Sequence, residues 1–385
     1  MEKREKIKVL LLRTVSYILV AALASFATLL LMGRSVKLAQ LEKIVKYYFV
    51  GEADETAMTD AAASAMIASL GDPWSYYVSA EEYKAFDERK TNTYVGIGIT
   101  IQGREDGIGF TIIQVEPDGT AAQAGIMPGD ILIEVDGTSM EGVANDVPVN
   151  MIRGNLGTQV HVVVLREQER MEFSVKRQKL LSVVAEGEML PSNIGYIRIK
   201  NFNTNCAKQT LAAIESLVQQ GATALVFDVR NNGGGYVNEM NQILDYLLPE
   251  GDLFRAVSTD GREEVDTSDS RCLEMPMAVL VNAYSYSCAE FFAAALREYD
   301  WATVVGQATT GKAYFQNTFR FADGSAIGLS VGQYFTPKGV SLAQEGGLRP
   351  DVEVEVDEMT FAMIYANVLP RAEDPQLSAA LEALE

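Results

Sequence analysis

Apolar residues follow several successive rhythms along this chain, and each predicts a different kind of element. Residues 14–32 carry no charge and are rich in Leu, Val and Ala. At about 1.5 Å rise per residue, such a helix spans roughly 28 Å, close to the hydrocarbon core of a bilayer. Residues 35–49 then place Leu38, Leu41, Ile44, Val45 and Tyr48 at helical spacing. An alanine-rich helix is predicted over 59–70, stopped by Gly71-Asp72-Pro73, and a short one over 81–87. These stripes read as a small helical bundle whose apolar faces serve as core or as a homodimer interface. From about residue 93 the period shortens to that of strands, with candidates at 97–101, 109–115, 130–135 and 159–165. Pro117-Asp118-Gly119, Pro128-Gly129-Asp130 and Asp136-Gly137 punctuate them as turns. Beyond Leu181, strands at 195–199, 224–229, 277–281 and 303–305 alternate with helices at 207–219, 237–248 and 289–298. That alternation predicts an α/β core with a largely parallel sheet, whose functional loops cluster at the strands' C-terminal ends. A last helix is expected over 359–368.

Charge divides the first residues from the rest. Lys3, Arg4, Lys6, Lys8 and Arg13 outweigh Glu2 and Glu5, whereas the 385-residue chain as a whole carries a formal charge of −20. Basic residues ahead of an apolar span predict a cytoplasmic N-terminus and an extracytoplasmic remainder, with the chain held in the cell membrane by a single pass. A cleaved signal peptide and a core helix are the alternatives, but Ala22, Ala24 and Ala27 lie early for a small-x-small cleavage site. The acidic balance argues against a nucleic-acid partner, which requires a basic face. Cys206, Cys272 and Cys288 make neither a disulfide framework nor a Cys-x-x-Cys pair, and His161, the one histidine, is far from them. No metal, nucleotide or other cofactor is expected.

Ser287 stands between the apolar run 277–281 and the helix-forming stretch 291–296. Hydrolases place nucleophiles there, because amides at a helix start face developing negative charge. Ser287-x-x-Glu290 also has the form of a helix capping box, and Ser285 is a rival nucleophile. With a single histidine in a distant strand-like run, the expected base is a lysine, and Lys312 in Thr309-Thr310-Gly311-Lys312 is the candidate. A lysine base must be neutral, which requires burial away from carboxylates. Ala313, Tyr314 and Phe315 are uncharged, and Gln316 can orient the amine without stabilising its charge. Gly233-Gly234-Gly235 permits a tight turn that presents backbone N–H groups. Gly234, with the amide of Cys288, is the expected oxyanion hole; a plain strand-to-helix turn is the other reading.

Ser287, Lys312 and Gln316 resemble the serine, lysine and glutamine of the carboxyl-terminal processing (tail-specific) proteases. The resemblance extends to Gly195-Tyr196-Ile197-Arg198-Ile199, to Asp228 through Gly235, to Tyr334-Phe335-Thr336-Pro337-Lys338-Gly339 and to Gly347-Leu348-Arg349-Pro350-Asp351. Tyr286 and Cys288 stand where that family usually has small residues. The set Ala124-Gly125-Ile126, Pro128-Gly129-Asp130 and Leu132 is similar to PDZ domains, and by that resemblance Gly96, Ile97, Gly98 and Ile99 form the loop that holds a peptide carboxylate. Together the patterns and the resemblance divide the chain into a cytoplasmic tail and anchor (1–34), a helical region (35–90), a PDZ domain (91–180), an α/β serine protease core (181–357) and a C-terminal helical segment (358–385). The expected function is that of a membrane-anchored serine endopeptidase acting on protein or peptide substrates with unstructured C-termini outside the cytoplasm. A membrane-tethered PDZ adaptor without catalysis, or a small-molecule binder on the same core, are the alternatives.

Overall fold

The computed structural model describes residues 14–20 and 36–385. The expected membrane span lies outside these residues apart from a helical stretch at 14–20, and among the described residues no helix is long and apolar enough to cross a membrane. The chain divides into two compact units, Met1–Tyr77 and Val78–Glu385.

The first unit contains α1 (Val36–Tyr48) and α2 (Glu55–Ala68). Asp54 starts α2 by accepting the N–H groups of Thr56 and Ala57, and Lys46 of α1 pairs with Glu55 at 2.6 Å. Among the described residues the expected bundle core is not formed. No residue of α2 is buried, and Leu38, Leu41, Ile44 and Tyr48 of α1 are exposed. The third expected helix, α3 (Ala80–Lys90), belongs to the second unit, where Ser79 and Glu82 close a capping box at its start.

In the second unit a short pair of strands, β1 (Thr93–Gly96) and β7 (Gln178–Leu181), brackets an antiparallel sheet. That sheet runs in the order β2 (Ile99–Gly103), β3 (Phe110–Val115), β4 (Ile131–Val135), β5 (Gln159–Arg166), β6 (Glu169–Lys176). Alternation on β5 buries Val160, Val162 and Val164 against Phe110, Ile112 and Leu132. Two short helices, α4 (Thr120–Ala124) and α5 (Asp146–Ile152), complete the domain. The predicted strand over 97–101 is interrupted: Gly98 has φ +83°, and the chain turns between β1 and β2.

The larger sheet runs β8 (Ala185–Leu190), β9 (Ile194–Ile199), β10 (Ala224–Asp228), β13 (Met277–Val281), β14 (Ala302–Gly306), β17 (Val352–Glu353). Only the β8–β9 pair is antiparallel. Every residue of β10 and β13 is buried, as the uninterrupted apolar runs require of a sheet covered on both faces. One face packs on α6 (Cys206–Gln219), α7 (Val237–Leu247) and α8 (Cys288–Glu298). The other, formed by Tyr196, Val226, Ala278, Leu280 and Val305, is closed by Leu377 and Ala380 of α11 (Pro375–Glu382). After the one-turn α9 (Leu342–Glu345), the expected helix near residues 359–368 is α10 (Glu358–Ala366). Between β10 and β13 the chain adds β11 (Gly251–Ser258) and β12 (Glu263–Ser268). These join β15 (Tyr314–Arg320) and β16 (Ala326–Phe335) in a second antiparallel sheet.

Candidate active site

Three loops meet at the C-terminal ends of adjacent parallel strands: 229–235 after β10, 282–287 after β13 and 307–313 after β14. This is where an α/β sheet gathers its functional groups. Asparagines stitch the first two loops together. Asn231 donates its N–H to Asn282 Oδ1 at 3.0 Å, and Tyr286 donates its N–H to the Asn232 carbonyl at 3.1 Å. The third loop is tied to the second by Thr310, whose N–H reaches the Ser285 carbonyl and whose hydroxyl donates to the Ala283 carbonyl.

Ser287 immediately precedes α8 with φ 58° and ψ −129°, a left-handed conformation that costs a residue with a Cβ on the order of 1–3 kcal/mol. Its surroundings hold it there, and the residue is 7% exposed. Ser285, the rival, is fully buried, donates its hydroxyl to the Val229 carbonyl at 2.8 Å and accepts the Asn282 N–H at 3.0 Å. Its hydroxyl is committed to the loop.

The backbone of Gly234 presses on the serine turn. A Cβ on Gly234 would lie 2.8 Å from the Ser287 Cβ and 2.9 Å from the Cys288 nitrogen, so close approach as well as φ +80° requires glycine here. Gly234, the expected oxyanion donor, has its N–H on Asn232 Oδ1 at 2.8 Å, because the tight turn folds the asparagine side chain back onto it. Cys288 is the first residue of α8, and its N–H is one of the start amides that have no partner inside a helix. Its thiol is inert by environment. Burial pushes it up to about 11, and it donates to the Gly235 carbonyl at 3.4 Å.

Lys312 belongs to the third loop, with its ammonium nitrogen 5.7 Å from the centre of the Tyr286 ring. Ala313 behind it is fully buried. Gln316, expected to orient the lysine amine, donates its side-chain amide to the Tyr314 carbonyl and to Ser330 Oγ. A break in the β15–β16 register between Phe315 and Gln316 changes the side-chain alternation just before it. His161 lies on β5 in the other sheet, facing Glu172 at 3.7 Å.

Glu290 is the residue whose importance the chain's local pattern understates. Fully buried, it accepts four hydrogen bonds. Oε2 takes the N–H of Ser287 at 2.8 Å and that of Lys312 at 2.9 Å. Oε1 takes the N–H of Gly311 at 2.6 Å and the Thr309 hydroxyl at 2.5 Å. The Ser287 bond is the half of the capping box visible in the sequence; the other three come from a loop beyond β14. Two donors on one oxygen bring the backbone nitrogens of Ser287 and Lys312 to within roughly 6 Å of each other. Burial pushes the Glu290 carboxyl above the ordinary carboxylate range, and its four donors oppose this.

Beside these loops, a groove of about 740 Å³ runs between α7 and the second antiparallel sheet, with Val237, Asn241, Phe254, Phe315 and Tyr334 among its lining residues. Among the described residues no cluster of His, Cys, Asp and Glu is arranged to hold a metal.

A strained serine at a helix start, facing a lysine loop on an α/β sheet and preceded by a PDZ-like sheet, defines a class of serine peptidase. Residues 193–354 match Peptidase family S41, and residues 88–165 match the PDZ domain. The chain is 31% identical over 359 residues to the carboxy-terminal processing protease CtpA of Bacillus subtilis, covering 89% of this chain and 76% of that protein. It is 32% identical over 312 residues to a protein of Staphylococcus epidermidis named as CtpA-like serine protease, covering 80% of this chain and 62% of that one. A crystal structure from Bacteroides fragilis assigned to the S41 proteases shares the fold at TM-score 0.53 and 17% identity, covering 89% of this chain and 96% of that one. The chain belongs to the carboxy-terminal processing proteases and is a serine-type peptidase of that family with a PDZ domain.

Proposed function

We propose that this chain is a membrane-anchored endopeptidase that processes or degrades the C-terminal regions of extracytoplasmic proteins, using Ser287 and Lys312 as a dyad. The observation that carries the reading is the shared Glu290 oxygen, which brings the strained serine turn and the lysine loop together. Ser287 Oγ attacks the peptide carbonyl while neutral Lys312 takes its proton. The lysine then protonates the departing amine, and water hydrolyses the acyl-enzyme. The Cys288 N–H, at the positive end of α8, faces the oxyanion. The groove beside Phe315 receives the extended substrate, whose carboxylate end is captured at Gly96–Ile99. Two features support that capture. β2 is an outer strand of its sheet, open to strand addition, and the Ile97 and Gly98 carbonyls are pinned by the N–H groups of Ala121 and Glu116.

Anchoring is supported by the uncharged run 14–32 and the basic residues before it, a pattern that favours an extracytoplasmic catalytic unit. A homodimer rests on the exposed apolar side chains of α1. The test is turnover of an unstructured peptide by purified, folded variants. Ser287→Ala and Lys312→Ala should each abolish activity, and the double variant should lose no more, because the two groups act as one unit. Full activity in either single variant would refute the dyad.

A further inference from the structure

We infer that Glu290 is a positioning residue that sets the alignment of nucleophile and base; this rests on the Ser287–Lys312 reading. The two reacting side chains sit on separate loops, one after β13 and one after β14. Glu290 is fully buried on the first turn of α8. Each of its four partners is a donor, and three of them are backbone N–H groups that cannot accept a proton in return. The carboxylate is therefore the form this cradle fits.

The distribution of the four bonds is what matters. If Glu290 were only a helix cap, the Ser287 N–H alone would satisfy it. Instead its Oε2 bridges the backbone of the serine to that of the lysine, and its Oε1 holds Gly311 and Thr309 on the same lysine loop. Thr309 is fixed in turn, since its oxygen accepts the Leu348 N–H at 2.7 Å and its N–H reaches the Leu348 carbonyl. Gly311 has φ +85°, and a Cβ there would lie 2.8 Å from the Gly347 nitrogen, so the lysine loop has little room to move. Glu290 thereby fixes the distance from a rigid lysine loop to a strained serine turn. Proton transfer depends on that distance far more than substrate binding does, because the peptide is held by other surfaces.

The expected signature is a split between turnover and binding. In Glu290→Gln one of the two side-chain oxygens becomes an amide nitrogen, which faces N–H donors and breaks the bridge. kcat should fall about a hundredfold or more while KM for an unstructured peptide stays within about threefold, as a misplaced catalytic group requires. Glu290→Asp keeps the charge but is one methylene shorter and reaches only one of the two loops, so it should show the same split. Unchanged kcat in either folded variant overturns the proposal. So does a rise in KM that accounts for the whole loss. Failure of both variants to fold overturns it as well, because the carboxylate would then hold the structure rather than the alignment. Ser287→Ala is measured in parallel. If it retains turnover, the dyad reading has failed; if it is inactive while the Glu290 variants match the wild type, only the positioning role has.

Discussion

Ser287 and Gly234 form one unit at the residue scale, a left-handed serine with a glycine backbone pressed against it. Gly234→Ala would add a methyl 2.8 Å from the Ser287 Cβ and strain a φ of +80°. The expected outcome is a loss of stability of about 1–3 kcal/mol, read as a lowered Tm, and a loss of peptidase activity greater than that instability explains. An alanine variant with normal activity would show that the turn does not need the close approach. Much at this scale was legible in the sequence. Ser287 and Lys312 stood out by strand-then-helix context and by the scarcity of histidine. The bonds that Gln316 and Gly234 make were not legible, because a register break and a folded-back asparagine are decided by contacts that no local pattern encodes. Glu290 looked like half a capping box because three of its four partners come from a segment across β14.

The elements of the core were read closely, since uninterrupted apolar runs such as 277–281 leave little choice but a strand covered on both faces. The short helical run near the C-terminus was harder. α11 packs by Leu377 and Ala380 and is clamped by charge: Arg230 donates to Asp228 at 2.6 Å and to Asp374 at 2.7 Å, with all three side chains buried. Asp374 also accepts the N–H groups of Gln376 and Leu377 and so starts the helix it anchors. Burial alone would raise the Asp228 carboxyl, but the Arg230 guanidinium outweighs it and holds the group below the ordinary carboxylate range. A depressed carboxyl contributes stability that is present above its unfolded value, about 3.9, and is lost as pH falls through its folded value. Thermal unfolding should therefore show the core weakening below about pH 4. Asp374→Ala should cost about 3–5 kcal/mol at neutral pH, because it leaves Arg230 buried with one partner fewer. It should also raise amide exchange in α11. Wild-type exchange there would mean that apolar packing alone retains the helix.

For the whole molecule, the order of domains followed from the change in hydrophobic period near residue 93 and again beyond 181, whereas the unpaired faces of α1 and α2 did not. An amphipathic stripe states that a face needs covering and says nothing of what covers it. The open edge of β2 carries the functional consequence. A peptide with a free C-terminal carboxylate should bind the enzyme more tightly than its C-terminal amide, because charge-assisted bonds to the amides of Gly96–Ile99 are lost on amidation. Calorimetry with the Ser287→Ala variant separates binding from cleavage, and equal affinities would remove carboxylate recognition from the account.

The position of α11 has a further consequence, in time rather than in space. Ser287 and Lys312 leave the ribosome well before Asp374 and Leu377, at about 5–20 residues per second. During that interval the sheet face formed by Tyr196, Val226, Ala278 and Leu280 has no α11 over it, and Arg230 lacks one of its carboxylates. A nascent chain thus carries Ser287 and Lys312 for roughly several seconds before that face is covered and Arg230 has both its carboxylates.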